Sequence, residues 1–485
     1  MRRRNPGTSG DDASRNRYDA RFGEPRAAEY SSELAYVVQP TGPSERLLEE
    51  QSAELDLQES CTMIDRASET IVVIGQGYVG LPVAMRAVAV GFNVVGIDAD
   101  PRKIKALNAG ESYVEDIPNA ELAAAIASGR FMASADAAAC GEFSVAVIAV
   151  PTPLDEGMPD LTFMEKAGEF IAPSVTVGCT VVLESTTYPG TTEELLVPIL
   201  EKGSGLKAGV DFYVGYSPER IDPGNPTWTF INTPKVVSGI NAESLKHVDA
   251  FYSALVERTV SVSTPKEAEL TKLLENTFRH VNVALVNELA VFANQLGIDV
   301  WEAIDAASTK PFGFMRFTPG PGVGGHCLPI DPTYLSWQVR RVLQRPFRFV
   351  ELANDVNEQM PAYVVTRIGE ILNRQRKAFN GSTVLLIGLA YKKNTGDARE
   401  SPAIHVADRL LATGAKVQAA DGHVLARQIP EGVEHVELSN AVLEAADLVV
   451  ILTDHDNVDY EHVARTARAV FDTRRRVTGE RVEVL

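Results

Sequence analysis

The chain has 485 residues, too many for a single hydrophobic core, so two or three domains are expected. Hydrophobic residues make up 45% and charged residues 23%, the balance of an ordinary soluble globular protein. A formal net charge of -19 argues against nucleic acid as a main partner, because phosphate backbones are gripped by a basic face, but it leaves room for a phosphorylated small molecule.

Four cysteines, Cys61, Cys140, Cys179 and Cys327, include no C-x-x-C pair and make no disulfide framework, which fits a reducing cytoplasm. No run reaches the roughly 20 uninterrupted apolar residues of a membrane helix. The basic start at Met1 is not followed by the apolar stretch of a signal peptide. A soluble, cytoplasmic protein is expected.

Residues 1–65 are rich in Arg, Glu, Ser, Gly and Pro and read as a disordered tail with a short helix near 47–55. From residue 66 to 264 the pattern is α/β. An apolar run at 71–74 leads into a glycine turn, a helix over 81–90 and a second run at 92–97, and further runs follow at 144–150, 180–184 and 211–216. Such alternation indicates a parallel sheet covered by helices on both faces. Residues 265–375 are helical. Leu270, Leu273, Leu274, Phe278, Val281, Leu285 and Leu289 recur at three- and four-residue intervals and predict one long amphipathic helix between Pro265 and Gly297. Further helices are expected at 331–344 and 350–374. Residues 376–485 return to α/β, with strands at 383–387, 416–420 and 446–452 and a helix at 403–412. The expected architecture is two doubly wound, Rossmann-like domains joined by a helical spine.

Gly75-Gln-Gly77-Tyr-Val-Gly80 is a G-x-G-x-x-G between a strand and a helix. Its glycines allow a tight turn and close approach of a pyrophosphate to the helix N-terminus. Asp98 closes the next strand, where a carboxylate accepts ribose hydroxyls and repels a 2′-phosphate, so NAD is expected rather than NADP. A tight turn without ligand is the alternative that this context disfavours.

Cys327 lies in the glycine-rich segment 320–331, with Asp331 four residues on. Free cysteines are usually buried and inert, but glycines here shape a loop open to close backbone approach. A thiol is not needed to oxidise an alcohol to an aldehyde. It is needed to capture that aldehyde so that a second hydride can leave, and with a dinucleotide site upstream this suggests a four-electron oxidation using two NAD molecules. His326 reads as structural. Lys272 and Asn276, four apart, share a helix face. They could stabilise an oxyanion or relay a proton through water, or could belong to an ordinary solvated face. Glu219, in Ser217-Pro-Glu-Arg-Ile-Asp222-Pro-Gly224 after a strand end, is a base acting through water or a partner of Arg220.

In order along the chain, GQGYVGLPVA, VPTPLD, ESTTYPGTT, YSPERIDPGN, ELTKLLENTFRHVNVALVNE, PGPGVGGHCLPIDP and GLAYKKNTGDARESPA closely resemble the UDP-glucose/GDP-mannose dehydrogenase family over residues 70–480. The resemblance implies an NAD domain, a central helical dimerisation domain and a UDP-sugar domain, a homodimer or higher homo-oligomer, and no metal. It implies Cys327 as nucleophile, Lys272, Asn276 and Asp331 around the thiohemiacetal, Glu219 in thioester hydrolysis and Thr186 near the nicotinamide and catalytic water. It places the cofactor against Gly75, Gly77, Tyr78, Val79, Gly80, Asp98, Arg102, Pro151, Thr152 and Thr186. The UDP-sugar falls to Glu219, Arg220, Lys272, Asn276, Gly324, Lys393, Arg399 and Arg474, with Arg316 reaching a neighbouring subunit's sugar.

The family's usual Tyr-Asp-Pro after the second strand of its last domain is here Ala420-Asp421-Gly422-His423, which puts nucleotide contacts there in question. Ser-Pro-Glu-Arg and Gly-Gly-His-Cys resemble the branch acting on UDP-N-acetylhexosamines, with UDP-N-acetylglucosamine placed ahead of UDP-N-acetylmannosamine and a uronic acid for surface polysaccharide as product. UDP-glucose 6-dehydrogenation is the alternative activity. A non-catalytic NAD sensor or scaffold would leave the catalytic positions vacant, whereas Cys327, Lys272, Asn276 and Asp331 are all filled.

Overall fold

The structure, a computed structural model, describes residues 66–485 apart from 115, 156, 222–224, 226, 326 and 327. The expected tail with its short helix, and with them Asp222, Gly224, His326 and Cys327, lie outside the described residues.

The first sheet is built from β1 (Thr70–Ile74), β2 (Asn93–Ile97), β3 (Phe131–Ser134), β4 (Val145–Ile148), β7 (Thr180–Leu183), β8 (Tyr213–Tyr216), β9 (Lys235–Gly239) and β10 (Thr259–Ser261), with a small hairpin of β5 (Leu154–Asp155) and β6 (Met158–Pro159) beside it. Its order is β10-β9-β8-β7-β4-β1-β2-β3, parallel throughout except where β8 meets β9. The strands are near-continuous apolar runs because both faces are covered. Ile71 and Val73 pack on one side with Leu81, Met85 and Phe251, while Val72 and Ile74 pack on the other with Met164 and Leu196.

The second sheet, β11 (Thr383–Ile387), β12 (Lys416–Ala420), β13 (Glu434–His435), β14 (Leu448–Ile451), β15 (Val470–Asp472) and β16 (Val482–Val484), is parallel with order β13-β12-β11-β14-β15-β16. Both sheets reverse strand order beside their first strand, β1/β4 and β11/β14, and such switch points open a crevice at the carboxyl ends. The same device shapes each crevice. A Cβ on Gly75 (φ +93°) would lie 2.3 Å from the Ala149 carbonyl oxygen, and one on Gly388 (φ +82°) 2.3 Å from that of Thr453.

Helix α1 (Gly80–Ala89) follows the first turn, and α2 (Pro265–Leu296), α3 (Asp331–Leu343) and α4 (Arg348–Arg374) form the middle, before α5 (Pro402–Ala412). Thr264 caps α2 by accepting from the Lys266 N–H, and Gly297 ends it in a left-handed conformation. The orientation of α2 corrects the simplest reading of its pattern. Leu270, Leu274, Phe278, Leu285 and Leu289 are exposed, Leu274 to 62%, whereas Lys272, Asn276, His280 and Asn287 are buried. Lys272 and Asn276 do not sit on a solvated face. Periodicity shows that a helix has two faces; what packs on each depends on the rest of the chain.

Candidate functional site

The β1–α1 turn is shaped for a dinucleotide. A Cβ on Gly80 would fall 1.8 Å from the Gly75 carbonyl oxygen, closing the turn, while the space over Gly77 is empty to 4 Å. Val79 at the N-cap makes no side-chain cap hydrogen bond. Of the first-turn positions Leu81 donates its N–H to the Gly77 carbonyl (3.1 Å) and Pro82 has none, so the helix start offers the Gly80 N–H and the positive end of its dipole, which a pyrophosphate suits. Asp98 stands at the end of β2 as expected, and its oxygens are largely engaged. Oδ2 accepts from the Gln76 N–H (3.0 Å) and from Lys103 Nζ (2.9 Å), and Oδ1 accepts from the Asp100 N–H (2.9 Å). A carboxylate has about four acceptor positions, so one remains on Oδ1 for a ribose hydroxyl. Arg102 lies on the surface, paired with Asp100 at 2.8 Å. Tyr78 is half-exposed at the turn, and Pro151, Thr152 and Thr186 follow the carboxyl ends of β4 and β7, rimming the same crevice.

A second cluster lies between α2 and α3. Asn276 Nδ2 donates to Asp331 Oδ2 at 2.5 Å, and Lys272, Asn276 and Asp331 are all buried. Burial pushes the Asp331 carboxyl up to about 6, against the pull of the Lys272 cation and the Asn276 hydrogen bond. A carboxyl tuned to that range can exchange a proton near neutral pH. The four-residue spacing on α2 aims both side chains at the start of α3, and Asp331 follows the Cys327 loop directly.

The described part of that loop is clasped from two sides. On the α2–α4 side the Gly320 N–H donates to Asn287 Oδ1 (2.9 Å), and Asn287 Nδ2 donates to Asn357 Oδ1 (2.9 Å). On the other side a Cβ on Gly320 would lie 2.6 Å from Arg474 Nη1, one on Gly324 2.6 Å from the Glu400 carbonyl oxygen, and one on Gly325 2.7 Å from the Tyr391 ring. Gly324, expected at the sugar, thus has a packing reason of its own.

Glu219 follows β8. Its Oε1 accepts from the Arg220 and Ile221 N–H groups, both at 2.6 Å, and its Oε2 is 3.5 Å from Lys235 Nζ. The alternative in which Glu219 simply pairs with the Arg220 side chain is not what forms. The Arg220 guanidinium reaches Glu275 on α2 (2.6 Å) and the Pro234 carbonyl (2.6 Å), tying the Glu219 turn to the helix that carries Lys272 and Asn276.

In the second crevice Lys393 lies 3.3 Å from Asp456 and Arg399 2.8 Å from Asp397. Arg474 Nε donates to the Leu452 carbonyl (2.7 Å). Arg316 is half-exposed and pairs with Asp305 of its own chain at 2.8 Å. Asp421, the residue kept from Tyr-Asp-Pro, holds the turn: its Oδ2 accepts from the Leu389 and Ala390 N–H groups and from His455 Nε2 (3.0 Å). Burial opposes its charge, but the His455 bond and these N–H groups win and hold it well below the usual carboxylate range. His455 Nδ1 accepts from the Asn394 N–H (3.0 Å), so this histidine also fixes the loop carrying Lys393. The His423 ring stacks on His455 with centroids 4.6 Å apart. Sequence reasoning missed His455, Asn287, Asn357 and Lys235. Each acts through a partner more than 30 residues away, for which no local pattern exists.

Comparison with known proteins agrees with this arrangement. Residues 69–256 match the NAD binding domain of the UDP-glucose/GDP-mannose dehydrogenase family, 266–359 its central domain and 385–479 its UDP binding domain. A UDP-N-acetyl-D-mannosamine dehydrogenase of Pyrococcus horikoshii is 34% identical over 402 residues, covering 82% of this chain and 93% of the relative. A UDP-N-acetyl-D-glucosamine 6-dehydrogenase of Pseudomonas aeruginosa is 36% identical over 404 residues, covering 82% and 94%. The solved structure of the UDP-D-ManNAc dehydrogenase from Pyrococcus horikoshii superposes with a TM-score of 0.78 at 33% identity, covering 86% of this chain and 98% of that one. Among the described residues no helix is long and apolar enough to cross a membrane. With a dinucleotide turn in the first sheet, a second doubly wound sheet and all three family domains in order, the chain belongs to the UDP-glucose/GDP-mannose dehydrogenase family and is an NAD-dependent nucleotide-sugar dehydrogenase.

Proposed function

We propose that this enzyme oxidises the C6 hydroxyl of a UDP-N-acetylhexosamine to the carboxylate in two stages, through a covalent adduct on Cys327. The observation that carries the reading is the buried Lys272–Asn276–Asp331 cluster at the end of the Cys327 loop, where neutral packing would otherwise be cheaper than three polar groups. NAD, when bound, accepts a hydride at each of two levels, alcohol to aldehyde and thiohemiacetal to thioester. Lys272 and Asn276 donate to the C6 oxygen as negative charge gathers on it, and Asp331 exchanges its proton. The Cys327 sulfur bonds to C6 at the aldehyde stage and leaves it when water, deprotonated by Glu219, attacks the thioester. One alcohol and one water thus give one carboxylic acid, two hydrides and two protons. Thr186 and the first crevice hold the nicotinamide end; Lys393, Arg399 and Arg474 hold the nucleotide in the second. We assign the enzyme to the cytoplasm and its product to surface polysaccharide.

The acetamido substrate is supported by the Ser217-Pro-Glu-Arg wording and by the two relatives named above. UDP-N-acetylglucosamine and UDP-N-acetylmannosamine are expected to give a kcat/KM at least about tenfold above UDP-glucose, a difference of roughly 1.4 kcal/mol in transition-state binding. NADH absorbance with a panel of UDP-sugars decides this, and a preference for UDP-glucose transfers the enzyme to the other branch.

The exposed row Leu270, Leu274, Phe278, Leu285, Leu289, Phe292 and Leu296 runs the length of α2. A continuous apolar ridge of that length calls for an apolar partner, and we assign it to a second copy of the chain. Leu274→Glu with Leu285→Glu is expected to shift the sedimenting species to a monomer; an unchanged mass means that another surface joins the copies.

A further inference from the structure

Two buried members of one ionic cluster, Lys235 and Glu184, are used by nothing described so far. Lys235, at the start of β9, is 3% exposed, and its Nζ contacts Glu184 at the end of β7 and Glu219 Oε2 at 3.5 Å. Glu184 is 1% exposed. The rings of Phe230 and Tyr252 lie 5.5 and 5.1 Å from the same ammonium. Burial raises the Glu184 carboxyl against the pull of Lys235, and the two glutamates raise Lys235 against its own burial. Ion pairs this deep are seldom retained for stability, since apolar residues of equal volume do as well or better.

Geometry gives the cluster a use. Glu219 Oε1 is held by two N–H groups of its own turn, which leave the carboxylate free to pivot about that oxygen. Lys235 is the cation that meets Oε2, at 3.5 Å, and the same ammonium is held by Glu184. We propose that Lys235 is a positioning residue for thioester hydrolysis, fixing the second oxygen of Glu219 so that it addresses the attacking water, with Glu184 as the counter-ion that keeps the ammonium in place. The proposal rests on Glu219 being the water-activating base. It separates the two halves of the reaction: the hydride steps do not use Lys235, and the hydrolytic step does.

The experiment is rapid-mixing kinetics with intact-mass measurement on the full enzyme, using UDP-N-acetylglucosamine, UDP-N-acetylmannosamine and NAD. Lys235→Met combined with Glu184→Gln removes the pair without stranding a charge. Lys235→Gln alone is the second variant, because a protonated Glu184 can stand beside it. The folded variant is expected to release its first two NADH per site at the wild-type rate. It should then turn over about 100-fold more slowly, the scale of a misplaced reacting group, while a covalent sugar adduct builds up and NAD affinity holds. Glu219→Gln should give the same pattern, and adding it to the Lys235 variant should cost nothing further. If Glu219→Gln stalls as an adduct while the Lys235 variants turn over normally, the positioning role is wrong and the base assignment stands. Loss of the two-NADH burst along with turnover makes Lys235 structural and also overturns it. Wild-type turnover in Glu219→Gln removes the base assignment and the proposal together.

Discussion

Replacing Cys327 by serine is expected to abolish complete oxidation, with a loss on the order of 10⁴-fold or more, as when other covalent nucleophiles are removed. The wild-type enzyme should form two NADH per sugar consumed. The serine variant should stop at a slowly released aldehyde-level species, because an alcohol oxygen is a poor leaving group from the ester level and a weak nucleophile without a strong base beside it. Total NADH at limiting sugar, with a carbonyl trap to count aldehyde, measures both. A wild-type yield of one NADH with free aldehyde in solution would falsify the four-electron scheme and leave an ordinary alcohol dehydrogenase.

Lys272→Ala and Asn276→Ala come next in size. On the proposed mechanism each removes a donor to the oxygen that gains charge at C6, and such losses cost about 10²–10³ in kcat. NAD affinity should not change, since the dinucleotide turn lies at β1–α1 and both residues are on α2. The structure separates the two variants in stability. Asn276 is the hydrogen-bond partner of a buried carboxyl, so Asn276→Ala leaves Asp331 short of a donor and should cost about 1–3 kcal/mol of folding stability. Measuring kcat, NAD binding and thermal midpoints on both is decisive. Near-normal turnover in either variant would return that residue to a purely structural role.

The two doubly wound units were legible because each opens on a short apolar run closed by a glycine turn, at Gly75 and at Gly388, a signal that needs no tertiary information. Thr383–Ile387 and Lys416–Ala420 begin and end in the structure where the pattern places them. The strands that escaped notice were β3, β5, β6, β9, β10, β13, β15 and β16. All but β9 have only two to four residues, and Phe131–Ser134 alternates buried with exposed positions, so neither length nor apolarity marks them. Strand β9 is five residues long and buried throughout, but it opens on Lys235 and closes on Ser238-Gly239, which hides its short apolar centre. Helix α2 was bounded well by Pro265 and Gly297, because caps are local chemistry. Which of its faces meets water was not legible, since a polar face turned into the protein has the same periodicity as one turned to solvent. The spacing of Lys272 and Asn276 put them together. It took the fold to bring Asp331 to Asn276, Glu275 to Arg220 and His455 to Asp421, since those partners are 55, 55 and 34 residues apart.

The glycine loop before Cys327 has a consequence for anyone who would recombine this enzyme with its relatives. Gly320, Gly324 and Gly325 leave no room for a methyl group because Arg474, Glu400 and Tyr391 of the last third of the chain fill that space. A junction placed in the linker after α4 looks harmless, as it falls between two folded units, yet it divides this contact between two parents. A chimaera that takes its nucleotide domain from another parent therefore has to inherit that parent's glycine loop as well. Otherwise the glycine segment is seated against a surface it was not shaped for, and parts that are modular in sequence behave as one inheritance unit around it.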